Sequence, residues 1–338
     1  MDSLFRIAID TMSGDNGLQA VVPAALMSLE KYDDIALILV GDEALLLAEL
    51  ESLKKTTNNR LSIQHSTQVV TMDEKPASAL RGKKDSSMRV AINLVKSGEA
   101  DAIVSAGNTG ALMATGRFVF KTLPGIDRPA ICTSIPATDG HTYMLDLGAN
   151  IDSSAEHLYQ FAVMGSELVR AIDGINAPKI GLLNIGQEDL KGNEQVKAAH
   201  ELLQNGDFNY IGFVEGDDIF HGDVDVIVCD GFVGNVALKT SEGLAKMLSQ
   251  ELKRGYTKSI FTKIVALVSL PVLNGFRKRF DPRNHNGASF LGLNGIVIKS
   301  HGGADDVAFA NAIGIARKEV MEKVPEQIKK HLQKHLVD

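Results

Sequence analysis

The chain has 338 residues, of which 44% are hydrophobic and 23% charged; this suits a folded enzyme and excludes a disordered chain. A formal charge of −7 argues against nucleic acid as a general partner, because phosphate neutralisation needs a basic face. The two cysteines, Cys132 and Cys229, stand far apart in no metal or redox spacing, which gives no disulfide framework and fits a reducing cytoplasm.

The N-terminus passes from Met1-Asp2-Ser3 into a strand-like run, without the basic start and apolar core of a signal peptide. No apolar run approaches the ~20 residues that span a bilayer, so a cytosolic protein is expected. Strands are expected at Ile7–Asp10, Ile35–Val40, Ala102–Ser105, Ile131–Ser134, Thr142–Asp146, Ile180–Asn184, Tyr210–Val214, Val224–Cys229 and Ile296–Lys299. Helical periodicity follows them over 18–30, 86–97, 109–121, 153–172, 190–204, 235–253 and 303–335. Several strand runs are rich in Ile and Val with no polar alternation, as parallel strands covered on both faces require. The alternation predicts a three-layer α/β/α sandwich around a mostly parallel, Rossmann-like sheet. No linker, low-complexity tract or repeat interrupts it, so 1–338 reads as a single domain; a division into two lobes near 100–180 stays open.

The glycines gather after the strands. The junctions are SGDNG at 13–17 (Gly14, Asn16), SAGNTG at 105–110 (Ser105, Gly107, Asn108, Thr109) and DLGAN at 146–150 (Asp146, Gly148, Asn150). They continue with NIGQED at 184–189 (Asn184, Gly186), CDGFVGN at 229–235 (Asp230, Gly231, Gly234) and SHGGAD at 300–305 (His301, Gly302). Singly, such a loop is a turn and a helix cap. Together they point to a phosphate-bearing or other anionic ligand at the carboxyl edge of the sheet, where helix N-termini offer free N–H groups. The first strand leads into TMSGDNG rather than G-x-G-x-x-G, and no G-x-x-x-x-G-K-[ST] loop occurs, which disfavours dinucleotides, kinases and ATPases.

Among reactive side chains, Lys191 in GQEDLKGNE falls just inside an expected helix, where it either neutralises a phosphate or is a solvated first-turn lysine. Asn235 falls at or near a helix start: a cap on sequence alone, or an amide donor to a developing oxyanion. Asp10, Asp146 and Asp230 each end a strand and are expected to hold loops rather than a divalent metal, since no partner has ligand spacing. His301 either contacts phosphate or bonds its own loop. Cys229, inside VDVIVCDG, is expected to be a buried strand cysteine, not a nucleophile, and no Gly-x-Ser-x-Gly elbow is present.

Residues 256–273 read YTKSIFTKIVALVSLPVL, with Ile260, Phe261, Ile264, Val265, Leu267 and Val268 at helical spacing and Leu270, Val272 and Leu273 beyond. Pro271 is expected to break the helix near its apolar tip. Around it stand Lys253, Arg254, Lys258, Lys263, Arg277, Lys278, Arg279 and Arg283 against a lone Asp281. This composition, over 253–283, predicts a protruding helical hairpin that rests on anionic lipid, receives an acidic carrier protein, or joins two subunits.

At these motifs the chain resembles the bacterial acyl-ACP:phosphate acyltransferase family, PlsX. The resemblance runs in order through IAIDTMSGDNG (7–17), SMRVAINLVKSGEADAIVSAGNTGALMATG (87–116), GIDRPAI (125–131), DLGANID (146–152), LLNIGQEDLKGNE (182–194), GDVDVIVCDGFVGNVALKTSEG (222–243) and LGLNGIVIKSHGGAD (291–305). It implies a homodimeric α/β fold similar to phosphotransacetylases and isopropylmalate-type dehydrogenases, peripheral attachment to the inner membrane face, and Lys191 and Asn235 as active-site residues. It also implies acyl carrier protein and inorganic phosphate as substrates, and a membrane acyltransferase that uses acyl phosphate for phospholipid synthesis downstream. The apolar hairpin then becomes the membrane-contacting element. Two positions depart from the family. Ser13 replaces the usual first Gly of M-G-G-D, so that turn is expected to keep φ < 0, and His285 stands where a Tyr is common. Phosphate is already an anionic nucleophile and a thiolate leaves readily, so neither a metal nor a redox cofactor is expected. A dehydrogenase on the same sheet and a non-catalytic carrier- or membrane-binding scaffold are the rival readings.

Overall fold

The Ile/Val-rich runs form strands buried on both faces, as in β1 (Phe5–Asp10), whose last four residues are fully covered. The computed structural model describes residues 4–279 and 281–335. After β1 come α1 (Leu18–Lys31), β2 (Ile35–Gly41), α2 (Glu43–Ser52), β3 (Leu61–His65), α3 (Pro76–Gly82), α4 (Ser87–Ser97), β4 (Ala102–Ser105) and α5 (Thr109–Phe120). The chain continues through β5 (Ala130–Pro136), β6 (His141–Leu145), α6 (Ala155–Asp173), β7 (Lys179–Leu183), α7 (Glu194–Gln204), β8 (Asn209–Val214) and β9 (Val226–Val228). Two long helices, α8 (Gly231–Thr257) and α9 (Ile260–Arg279), precede β10 (Ala288–Leu291), β11 (Ile296–Lys299), α10 (Asp306–Met321) and α11 (Val324–His335).

All the strands join one 11-stranded sheet in the order β3-β2-β1-β4-β11-β10-β5-β6-β9-β7-β8. One face carries a continuous core from Ala8 and Ile103 through Val297, Phe290 and Ile131 to Met144, Ile227 and Val214, with Met88, Ile92 and Leu112 of α4 and α5 upon it. On the other face, α1 and α10 cover the first half, while α6 and α11 cover the second. The expected sandwich is therefore present.

The sheet has two parallel blocks. β3, β2, β1, β4 and β11 run one way; β6, β9, β7 and β8 run the other, because β10 and β5 are inserted antiparallel between them. The glycine loops consequently leave from two carboxyl edges, not the single edge that a simple parallel sheet would give.

Three local expectations change. Lys191 precedes α7, which starts at Glu194 behind an Asn193 cap, so it lies in a loop and not in a first helical turn. Pro271 sits inside α9, whose helix continues to Arg279; a proline φ near −65° fits a helix and removes one backbone bond without ending it. The helix expected over 303–335 is two, divided at Lys323, whose φ of 51° no helix contains. Ser13 keeps φ out of the left-handed region as expected, and the turn's positive φ of 90° falls on Gly14.

Candidate active site

The first group of loops is interlocked. Gly14 packs so tightly that a Cβ there would stand 2.8 Å from the Ala106 Cβ and 3.0 Å from the Gly302 carbonyl, and Gly302 accepts from the Asp15 N–H at 2.8 Å. The Asn16 amide donates to the Ala304 carbonyl at 2.9 Å. Ser105 donates to Asp10 at 2.6 Å and accepts from the Gly107 N–H at 3.0 Å. Asn108 caps α5 and donates to the Met72 and Glu74 carbonyls, leaving Thr109 exposed on the first turn. His301 bonds within its own loop, its Nδ1 accepting from the Gly303 N–H at 3.1 Å. Asp10 is fully buried between the hydroxyls of Ser105 and Ser87, and burial raises its carboxyl above the usual range against their pull.

The second group lies at the ends of β6 and β9. Asp146 accepts from the N–H groups of Ile131 (2.9 Å), Ala149 (3.1 Å) and Asn150 (2.7 Å) and from the Asn150 amide (3.0 Å). Asp230 caps α8 through the N–H groups of Phe232 and Val233. Both aspartates hold loops, as expected. The helix start approaches the 146–150 loop so closely that a Cβ at Gly231 would collide with the Asn150 carbonyl, and one at Gly234 with the Asp146 carbonyl. Asn235 is thus one turn inside α8, not its cap, with its side chain about Gly148: the nearest approach to a Cβ built on Gly148 is 3.4 Å. It is exposed, and its amide has no hydrogen-bond partner among the described residues. Cys229 is buried, its thiol pushed up by burial and by Asp146, which fits a structural cysteine.

In the third group, Asn184 bridges its loop by donating to the Gly186 and Lys191 carbonyls. The exposed Lys191 ammonium pairs with Glu188 at 2.7 Å, and that bond raises the lysine above its ordinary pKa. β7 neighbours β9, so this loop and the Asp230 loop leave adjacent strands. No hydrogen bond or ion pair joins Lys191 to Asn235 among the described residues.

The structure therefore engages most of the expected polar side chains in building loops: Asn16, Ser105, Asn108, Asp146, Asn150, Asn184, Asp230 and His301. Asn235 and Thr109 stay exposed, and Lys191 is exposed in its pair with Glu188. Sequence reasoning passed over Lys299, a lysine buried at the end of β11, and Lys239 on α8, which pairs with Glu242 at 2.8 Å. A lysine closing an otherwise apolar strand, IVIK, is the signal that could have found the first.

The hairpin is exposed. Ile260, Phe261, Ile264, Val265, Leu267, Val268, Leu270 and Val272 face out, and Leu273 is partly covered. Lys258, Lys263 and Arg279 are exposed, whereas the side chains of Arg277 and Lys278 lie outside the described residues. Arg283 leaves the basic rim and folds against Asp281 and Asp305. Among the described residues no single helix is long and apolar enough to cross a membrane; α8 and α9, bent by 119°, pass that test only as a pair.

A sheet of this order with glycine loops at two strand edges has the fold of the phosphotransacetylases. A phosphotransacetylase from Streptococcus pyogenes matches with a TM-score of 0.66 at 20% identity, covering 94% of each chain. A 4-hydroxythreonine-4-phosphate dehydrogenase from Klebsiella pneumoniae matches at 0.51 and 14% identity, over 95% of this chain and 98% of its own. These likenesses concern the fold. The family is shown by sequence: the chain belongs to the fatty acid synthesis protein family, whose model matches residues 5–327. A phosphate acyltransferase from Methylococcus capsulatus is 61% identical over 322 residues, 95% of either chain, and one from Nitrosococcus oceani 58% identical over 327 residues, 97% of this chain and 96% of its own. The resemblance carried by the motifs is borne out, and the chain is an acyltransferase.

Proposed function

We propose that this chain moves a long-chain fatty-acyl group from an acyl-carrier-protein thioester to inorganic phosphate, giving acyl phosphate for phospholipid synthesis. The observation that carries the reading is Asn235, an exposed amide without a partner among the described residues, on a helix turn locked by Asp146 and Asp230 beside Gly148. An oxygen of hydrogen phosphate attacks the thioester carbonyl carbon, and Asn235 donates to the carbonyl oxygen as it gains charge. The C–S bond then breaks, and the proton of hydrogen phosphate ends on the departing thiol. Lys191 neutralises phosphate from the solvent side, exchanging Glu188 for it. Holding the two reactants together is worth about 7–11 kcal/mol, so a strong base is not required.

Free-thiol release from a long-chain acyl carrier protein, with and without orthophosphate, tests the reaction. Phosphate-dependent release with a hydroxylamine-trappable product supports it, and Lys191→Ala should then slow turnover at limiting phosphate. Release indifferent to phosphate would mean a thioesterase, and no release a binding scaffold.

The hairpin supports peripheral attachment to the inner face of the cell membrane. Its apolar side chains project amid Lys258 and Lys263, as in helices that lie in an anionic lipid surface. On α8, exposed Leu244, Met247, Leu248 and Leu252 form a stripe at helical spacing that suits pairing with a second copy. Leu267→Glu is expected to release the protein from anionic vesicles in a flotation assay while soluble turnover stays unchanged. Undiminished vesicle binding would count against this placement.

A further inference from the structure

Lys299 ends β11 with 8% of its surface exposed. Its Nζ donates to the backbone carbonyls of Ala106, at 3.2 Å, and Ser300. Ala106 belongs to the 105–110 loop on which Gly14 packs, so the amine lies where the loops after β1, β4 and β11 meet. A buried ammonium ordinarily has a counter-ion, because desolvation of an unpaired charge is costly. No carboxylate stands within ion-pair distance of Lys299 among the described residues. Asp10 acts on it from β1 and Asp15 from the adjacent loop, but both oxygens of Asp10 are taken by serine hydroxyls and Asp15 is exposed.

A second cation approaches from the other half of the chain. Lys239, on the helix that carries Asn235, pairs with Glu242 at 2.8 Å, and its charge weakly opposes the protonation of Lys299.

We infer that Lys299 is a phosphate-binding residue: its ammonium, fixed by the Ala106 and Ser300 carbonyls, supplies the buried positive charge against which orthophosphate is held. This rests on the reaction proposed above and adds a buried cation to the exposed Lys191. A protonated amine is required, and burial, Lys239, Asp10 and Asp15 together set it at about 8. Phosphate capture therefore weakens as pH rises through that value.

The experiment is phosphate-dependent thiol release by the full-length wild type, Lys299→Met and Lys299→Arg, titrated with orthophosphate at several pH values and accompanied by thermal melts. The Met variant is expected to raise KM for phosphate about tenfold to a hundredfold, the weight of a charge-assisted bond, with KM for the acyl carrier unchanged. Arg should recover part of the loss. The alkaline decline of kcat/KM for phosphate should vanish in the Met variant and move to higher pH in the Arg variant. An unchanged KM for phosphate, or an alkaline limb that persists in the variants, overturns the assignment while leaving the reaction intact. If the Met variant fails to fold, the Arg variant's pH profile decides. If the wild type ignores phosphate, the reaction itself falls and this role with it.

Discussion

Asn235→Ala is expected to lower turnover about 10²- to 10³-fold, the usual cost of one lost oxyanion donor. Its side chain is exposed and hydrogen-bonds to nothing among the described residues, so its removal takes away little packing and no internal hydrogen bond. Thermal melting should therefore move by no more than about 2 °C, the range of a neutral surface change. Because the amide is assigned to the acyl carbonyl, the loss should fall on kcat and spare KM for phosphate, which separates this side chain from Lys191 and Lys299. Asn235→Asp should be at least as damaging, since a carboxylate cannot donate and repels the forming oxyanion. Turnover within about threefold of wild type in either variant would remove Asn235 from the chemistry.

The second large effect is on stability. Asp146→Ala is expected to cost about 3–5 kcal/mol in urea denaturation, because it removes the acceptor of the Ile131, Ala149 and Asn150 N–H groups at once and leaves the Asn150 amide only its bond to the Pro129 carbonyl. Asp146→Asn is not a conservative repair. One carboxylate oxygen accepts from Ile131 and Ala149 and the other from Asn150 twice, so an NH2 in either position faces two donors. That variant should lose about 2 kcal/mol or more. Wild-type denaturation midpoints in both would show that the loop is held by other means.

The strands that the sequence made legible are those whose apolar runs are buried on both faces, such as Ala102–Ser105 and Ile296–Lys299, found with the expected bounds. β3, reading LSIQH with three polar residues, and the four-residue β10 carry too little periodicity to stand out. β10 matters more than its length suggests, since its antiparallel pairings with β11 and β5, together with that of β5 with β6, set the second half of the sheet against the first. Periodicity encodes which face is buried, not which neighbour a strand pairs with, so the second carboxyl edge was not readable. The same limit explains the candidate site. Gly, Asn and Asp after strands marked every loop, yet whether an amide such as Asn108 or Asn184 bonds its own loop or waits for a ligand depends on contacts with carbonyls it meets only on folding. Asn235 emerged unbonded because its glycine neighbours let the helix press against Asp146 and Gly148.

The sheet order also has a consequence for biosynthesis. β10 and β11 are the last strands of the chain, yet they occupy the middle of the sheet, between β4 and β5. While the ribosome is still translating, β4 and β5 each offer an open edge to any other strand, and only residues 288–299 close them. The 13–17 loop meets the Gly302 and Ala304 carbonyls it bonds to only after almost 290 further residues have been made. Closure of the sheet thus waits for residues 288–299, and a ribosome that stops before codon 288 releases two unsealed half-sheets without an assembled site.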